Sequence, residues 1–206
     1  MANIARFWDR HAAGYAKRAV SDPEAYQHKL ELTQRLLKPD MRVLEFGCGT
    51  GTTALHHAPY VKSIRAIDVS AKMLEIARAK AEEAGIANVS FEQSDIEGLS
   101  AEDGSYDLVM GHSILHLLED RHAVIAKVWR LLKADGLFVT STACIGGTMP
   151  WLKLILPVGN ALGLLPKVAF IRPDELVGEF ETAGFRIEQS WQPGPSKGLF
   201  IIARKA

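Results

Sequence analysis

The 206-residue chain has only two cysteines, Cys48 and Cys144, in neither a C-x-x-C nor a metal-ligand spacing. That excludes a disulfide scaffold and a structural zinc site, and it fits a reducing, cytoplasmic setting. No metal is expected. Neither sign of charge is in excess, since Lys+Arg and Asp+Glu both number 24. Nucleic-acid-binding domains usually carry a basic surplus, so no nucleic-acid partner is expected. Long apolar runs are missing too. The most apolar stretch, residues 149–166, is broken by Lys153, Pro157, Gly159, Asn160 and Pro166. A transmembrane helix needs ~20 predominantly apolar residues, so no spanning segment is expected. The first residues, MANIAR, lack the apolar core of a secretory signal. There is no internal repeat and no low-complexity tract. What remains, 48% hydrophobic and 23% charged, is ordinary for a soluble domain. At this length one domain with a sizeable core is expected.

What the chain does have is V-L-E-F-G-C-G-T-G over residues 43–51, with Asp68 seventeen residues later. An apolar strand runs into Gly47, Gly49 and Gly51, and a lone acid ends the next apolar run. This is the layout of a nucleoside-cofactor site on an open α/β sheet. Glycines there permit positive φ and leave no Cβ between backbone and ligand. A dinucleotide fingerprint, G-x-G-x-x-G/A, would place its third small residue at position 52, where this chain has Thr52. Glu45 would repel a pyrophosphate but suits a ligand carrying an ammonium group. Asp68 could accept hydrogen bonds from ribose hydroxyls. A ribose with a cationic amino-acid tail fits this constellation better than NAD.

Strand-like runs fall at 42–46, 64–68, 89–93, 106–111, 137–142, 187–191 and 198–203. Helical patterns separate most of them. Residues 71–85 carry Met73, Ile76, Ala77 and Ala81, with Ser70 as N-cap and Gly85 as stop. Residues 120–133 and 172–184 are the next helices, the second with Pro173 at its start. Alternation of this kind predicts a largely parallel sheet covered on both faces.

The glycine segment resembles motif I of the class I S-adenosylmethionine (SAM)-dependent methyltransferases. Ile67-Asp68-Val69-Ser70 with Met73 resembles the family's ribose-binding strand end. Ser94-Asp95-Ile96 resembles its adenine-contacting turn. Residues 106–117 resemble its fourth strand and following loop, and residues 131–139 its helix-to-strand crossover. The resemblance covers roughly residues 40 to 142, and the nearest flavour is the small-molecule group that includes quinone C-methyltransferases. It implies an α/β Rossmann-like sandwich, with a seven-stranded, mostly parallel sheet whose last strand is antiparallel. It divides the chain into an N-terminal helical cover (1–38), a SAM-binding core (39–143), an apolar insert (144–171) and a C-terminal helix and strand pair (172–206).

On this resemblance, Glu45 holds the ammonium of the methionine portion, against the backbone of Gly47, Cys48, Gly49 and Gly51 with Thr52 beside it. Asp68 takes the ribose, with Val69 and Met73 flanking the adenine. Asp95 and the Ile96 amide face the adenine edge, and His112 and Ser113 lie beside the sulfonium. Tyr15 reaches the cofactor from the N-terminal cover, unless the aromatics there only anchor the helix. Methyl transfer needs alignment more than acid–base help, so no obligatory catalytic residue follows. Candidate bases are His116, His112 and His11, since an unperturbed histidine titrates near pH 6.5. His56 and His57 are expected to face solvent or pack, and His122 to lie on the surface. The insert is a lid, a dimer contact or a peripheral membrane patch. Monomer and homodimer both stay open.

The acceptor is expected to be a small, partly apolar molecule, its atom (O, N, S or C) open. The Asn/Asp-Pro-Pro-Tyr tetrapeptide typical of nucleic-acid amino-methyltransferases is absent. A non-catalytic SAM-binding protein that docks a partner or membrane through residues 145–170 is one alternative. An NAD(P)-dependent oxidoreductase is another, disfavoured by Thr52, by Glu45 and by the lack of a Tyr-x-x-x-Lys pair.

Overall fold

The computed structural model describes residues 2–146, 168–194 and 197–206. Among them, seven strands form one sheet in the order β3-β2-β1-β4-β5-β7-β6. The strands are β1 (Arg42–Phe46), β2 (Ser63–Asp68), β3 (Val89–Gln93), β4 (Tyr106–His112), β5 (Leu132–Ala143), β6 (Phe185–Trp191) and β7 (Gly198–Lys205). β3, β2, β1, β4 and β5 pair in parallel, and β7 runs antiparallel to both β5 and β6. This is the expected architecture. Helices α1 (Ala2–Ala16), α2 (Pro23–Gln34), α3 (Thr52–His57), α4 (Ala71–Glu83), α5 (Arg121–Leu131) and α6 (Pro173–Thr182) fill the outer layers. Most of the expected insert lies outside the described residues.

Both faces of the central strands are buried, which is why they read as continuous apolar runs. Leu44, Phe46, Val109, Phe138 and Ile201 pack against Val124, Ile125 and Val128 of α5 and Leu176 and Phe180 of α6. Val43, Leu108, Met110, Val139 and Phe200 face the other way, toward Ala54 of α3 and Leu74 of α4. Side chains alternate along a strand, so Glu45 falls on the face of Val43. A carboxylate thus points into an apolar layer.

The local signals act as the residue types dictate. Ser70 Oγ accepts from the Met73 amide at 3.1 Å and caps α4, and Gly85 ends it at φ +65°. Asp22 caps α2 through the Ala25 amide, at 3.1 Å. One boundary differs from expectation. The helix expected over 120–133 stops at Leu131, and β5 begins at Leu132 rather than 137. Tyr106 pairs with Leu132 while Leu108 pairs with Leu137, so the strand bulges between. Asp135, at φ +60°, turns the chain there before the ladder resumes.

Candidate active site

The chain leaves β1 through a loop whose glycines are required by shape as well as by backbone hand. Gly47 sits at φ +65°, and a Cβ there would meet Ile114 Cγ1 at 2.9 Å. Gly51 sits at φ +72°, and a Cβ there would meet both Ala77 Cβ and Phe91 Cε1 at 2.9 Å. No larger residue fits either place without movement. The loop is tied down from three sides. The Cys48 amide donates to Ile67 O at 3.0 Å. Lys80 Nζ donates to Thr50 O, Thr50 Oγ1 and Thr52 Oγ1 at 3.2, 3.1 and 3.1 Å. Asp68 Oδ2 accepts from the Gly49 amide at 2.8 Å.

Asp68 therefore joins two chain segments at the carboxyl end of β2. Its other oxygen accepts from the Ser70 amide at 2.9 Å. The carboxyl is 8% exposed, and burial pushes its pKa up while the Ser70, Gly49 and Val69 amides pull it back. A carboxylate has about four lone-pair sites, so further hydroxyl donors can be accepted.

Beside the loop opens a cleft of about 580 Å³. Its wall draws on α1 and the segment after it, α2, β1, α3, β4 and β5, with Tyr15, Lys29, Glu45, His57, His112 and Ser141 among its side chains. Glu45 is 2% exposed, and its Oε2 has no hydrogen-bond partner. Burial, and then the charge of Asp68, push its pKa up to about 8, against the Ala54 amide. A buried carboxylate left this way is costly unless a cation arrives. A ligand ammonium supplies one, so the residues fit the methionine tail of SAM.

Several expected residues line this cleft: Tyr15, Glu45, Gly47, Cys48, Gly49, Thr52, His112 and Ser113. A Cβ at Gly49 would lie 3.9 Å from the Tyr15 ring, so α1 reaches over the loop. Burial pushes the Cys48 thiol up, which removes it as a nucleophile. Asp68, Val69, Met73, Asp95 and Ile96 sit outside that wall, at and just beyond the ends of β2 and β3. Met73 and Ile96 are each 2% exposed. Asp95 Oδ1 accepts from the Gly98 amide at 2.5 Å, so this carboxylate shapes its own turn.

The histidines divide. His112 lines the cleft, stacked against Phe200 with ring centroids 6.5 Å apart, and burial lowers its pKa to about 4. His116 lies outside the wall on a single 3₁₀ turn, with Nδ1 unpartnered and a pKa lowered by burial to about 4. His11 is exposed on α1 and spends Nδ1 on Phe7 O at 2.7 Å, away from the cleft. His122 is a surface residue, as expected, 3.5 Å from Glu179. His57 takes the packed one of its two expected places, and it also borders the cleft. It is 1% exposed, lines the cleft, and has no partner on either ring nitrogen.

Lys29 and Lys80 carry no local signal in the sequence: only the fold brings Lys80 to the glycine loop and Lys29 to Ser141, 112 residues away.

Comparison with known proteins agrees with this geometry. Residues 43–136 match a family described as a methyltransferase domain. The ubiquinone biosynthesis O-methyltransferase of Xanthomonas axonopodis pv. citri (strain 306) is 31% identical over 168 residues, which cover 78% of this chain and 69% of that protein. The chain belongs to the class I SAM-dependent methyltransferases. This methyltransferase is also 36% identical over 102 residues to the uncharacterized methyltransferase YcgJ of Bacillus subtilis (strain 168), covering 50% of this chain and 40% of that one. The chain thus spans between 40% and 69% of these curated relatives' lengths. Its fold matches the crystal structure of the [4+2]-cyclase SpnF with TM-score 0.75 at 19% identity, covering 91% and 83% of the two chains.

Proposed function

We propose that this protein is an enzyme that binds SAM in the cleft beside the glycine loop and transfers its methyl group to a small, partly apolar acceptor. The observation that carries the reading is the orphaned, buried Oε2 of Glu45 at the floor of the cleft. It asks for a cation next to a loop built to admit a ligand against its backbone.

When bound, SAM supplies an activated methyl group on a good leaving group. Glu45 binds the ammonium, Gly47, Cys48, Gly49 and Thr52 shape the wall around the amino-acid portion, and Gly51 lets the loop pack against α4 and β3. Asp68 accepts from the ribose hydroxyls. Val69 and Met73 flank the adenine, with Asp95 and Ile96 at its edge. Tyr15 of α1 covers the loop. His112 and Ser113, at the end of β4, border the reacting end. Their task is to orient the acceptor and exclude water. His112 and His57 are neutral at working pH, since burial lowers both pKa values; they can accept a hydrogen bond from the acceptor but are weak bases. His116 lies outside the wall and is given no role in the transfer.

Buried, unpaired thiols at Cys48 and Cys144 support a reducing, cytoplasmic setting. Among the described residues no helix is long and apolar enough to cross a membrane. The apolar sequence of residues 149–166 supports a partly apolar acceptor.

A second reading is a non-catalytic SAM-binding protein that docks a partner or membrane through the apolar sequence of residues 145–170, since a shared fold does not fix function. Isotope-labelled SAM with a panel of phenols, thiols, amines and quinones separates the two. Label appearing on an acceptor supports the enzyme. SAM binding without transfer to any of the four classes supports the alternative.

A further inference from the structure

At the far wall of the cleft, Lys29 of α2 donates through Nζ to Ser141 Oγ at 2.9 Å. Ser141 is 7% exposed on β5 and pairs in register with His112 on β4. Both side chains face the cleft, as does the orphaned ring of His57. Among the described residues, Lys29 has a hydroxyl rather than a carboxylate as its hydrogen-bond partner. An ammonium has three donors, so two are left. Burial lowers the pKa of Lys29, with Asp22 opposing and Lys197 adding to the fall. Asp22 is engaged by Lys197 at 3.1 Å, so a partly desolvated cation with no carboxylate in hydrogen-bond contact stabilises an anion brought to it.

Two sources could supply an anionic oxygen here: the carboxylate of the cofactor, or an acidic group of the acceptor. The sheet distinguishes them. Ser141 on β5 is two strands from Glu45 on β1, since β4 lies between. Two strand spacings are about 10 Å. The cofactor's carboxylate is attached to the same carbon as its ammonium, so with the ammonium at Glu45 it stays near β1.

We propose that Lys29 and Ser141 form the acceptor's anionic-oxygen site, so that the acceptor is a molecule with an acidic hydroxyl, bound as its oxyanion. The proton leaves to solvent on binding, and the oxygen is then held by Lys29 beside His112. This rests on the methyltransferase reading above, since it uses Glu45 as the cofactor anchor.

The test uses the full chain saturated with S-adenosylhomocysteine and 4-nitrophenol as the probe, read by its phenolate absorbance at pH 6. The expected result is an absorbance rise on binding, reporting oxyanion stabilised by the site. Lys29→Met should weaken nitrophenol binding by at least about tenfold, the scale of a charge-assisted hydrogen bond. Lys29→Arg should keep most of it. The neutral analogue 4-nitroanisole should bind weakly to all three. The affinity for S-adenosylhomocysteine should stay within about twofold in Lys29→Met, which also shows that the variant is folded. No phenolate signal in the wild-type protein, or an equal signal in Lys29→Met, overturns the proposal. A loss of S-adenosylhomocysteine affinity with nitrophenol binding intact assigns the anion to the cofactor and overturns it as well. If S-adenosylhomocysteine does not bind the wild-type protein, the methyltransferase reading itself fails.

Discussion

Asp9 in the first helix accepts a hydrogen bond from Ser70 Oγ at 2.7 Å, and the same oxygen accepts from the Lys72 amide at 3.0 Å. One side chain thus pins α1 to the first turn of α4. Ser70 in turn donates its own amide to Asp68. Helix α1 and Asp68 are therefore linked through a single serine. The bonds to the Lys72 amide and to Ser70 pull the pKa of Asp9 below its usual value. A carboxylate lowered this way stabilises the docked helix above its ordinary pKa. That contribution is lost as pH falls through the depressed value.

Asp9→Ala is therefore expected to loosen α1 while leaving the sheet intact. The loss is about 1 kcal/mol, the net worth of a hydrogen bond at a partly exposed site. Hydrogen exchange should show faster exchange over residues 4–16, with β1 and β4 unchanged. Uniform acceleration across the chain would show that Asp9 supports the whole fold instead.

The glycine loop yields a prediction in which strain and space separate. Gly51 and Gly85 both have positive φ, but a Cβ at Gly85 meets nothing within 4 Å. Gly85→Ala should cost about 1–2 kcal/mol for the left-handed backbone alone. Gly51→Ala adds overpacking against Ala77 and Phe91, about 1–3 kcal/mol more. Urea denaturation of the two variants measures the difference directly. Equal losses would show that the α4 and β3 side chains give way freely.

Asp68 has a structural role, and the proposed ribose contact would add a binding one. Asp68→Ala leaves the Gly49 and Ser70 amides without their acceptor, at about 1–3 kcal/mol of stability. The affinity for S-adenosylhomocysteine should fall by at least about tenfold, measured by calorimetry. An unchanged affinity would remove Asp68 from the ribose site.

The fold was nearly all legible in the sequence, and the site only in part. The buried strands announce themselves because both their faces are apolar, as 43–46 and 106–111 show. The helix expected over 120–133 ends early because Leu132 pairs with Tyr106, a long-range contact that no local pattern encodes. Glu45 stood out since a carboxylate in an apolar run beside glycines has few purposes. Lys29 and His57 did not, because a lysine or histidine on a short helix looks like surface until the topology turns it inward. His11 shows the reverse case, a plausible base that the helix points outward.

Glu45 gives the most direct test of the whole account. Its folded pKa, near 8, lies above its ordinary value of 4.5. The free protein therefore loses stability as pH rises from about 4.5 to about 8, where the unfolded chain has released this proton and the folded one retains it. Glu45→Gln should remove that slope. A bound ammonium reverses the preference and ionises the carboxyl. Calorimetric titration of S-adenosylhomocysteine at pH 7, in two buffers of different ionisation enthalpy, counts the protons exchanged. Release of close to one proton per ligand bound is expected, abolished in Glu45→Gln together with most of the affinity. Binding with no proton release, and with full affinity in Glu45→Gln, would contradict it.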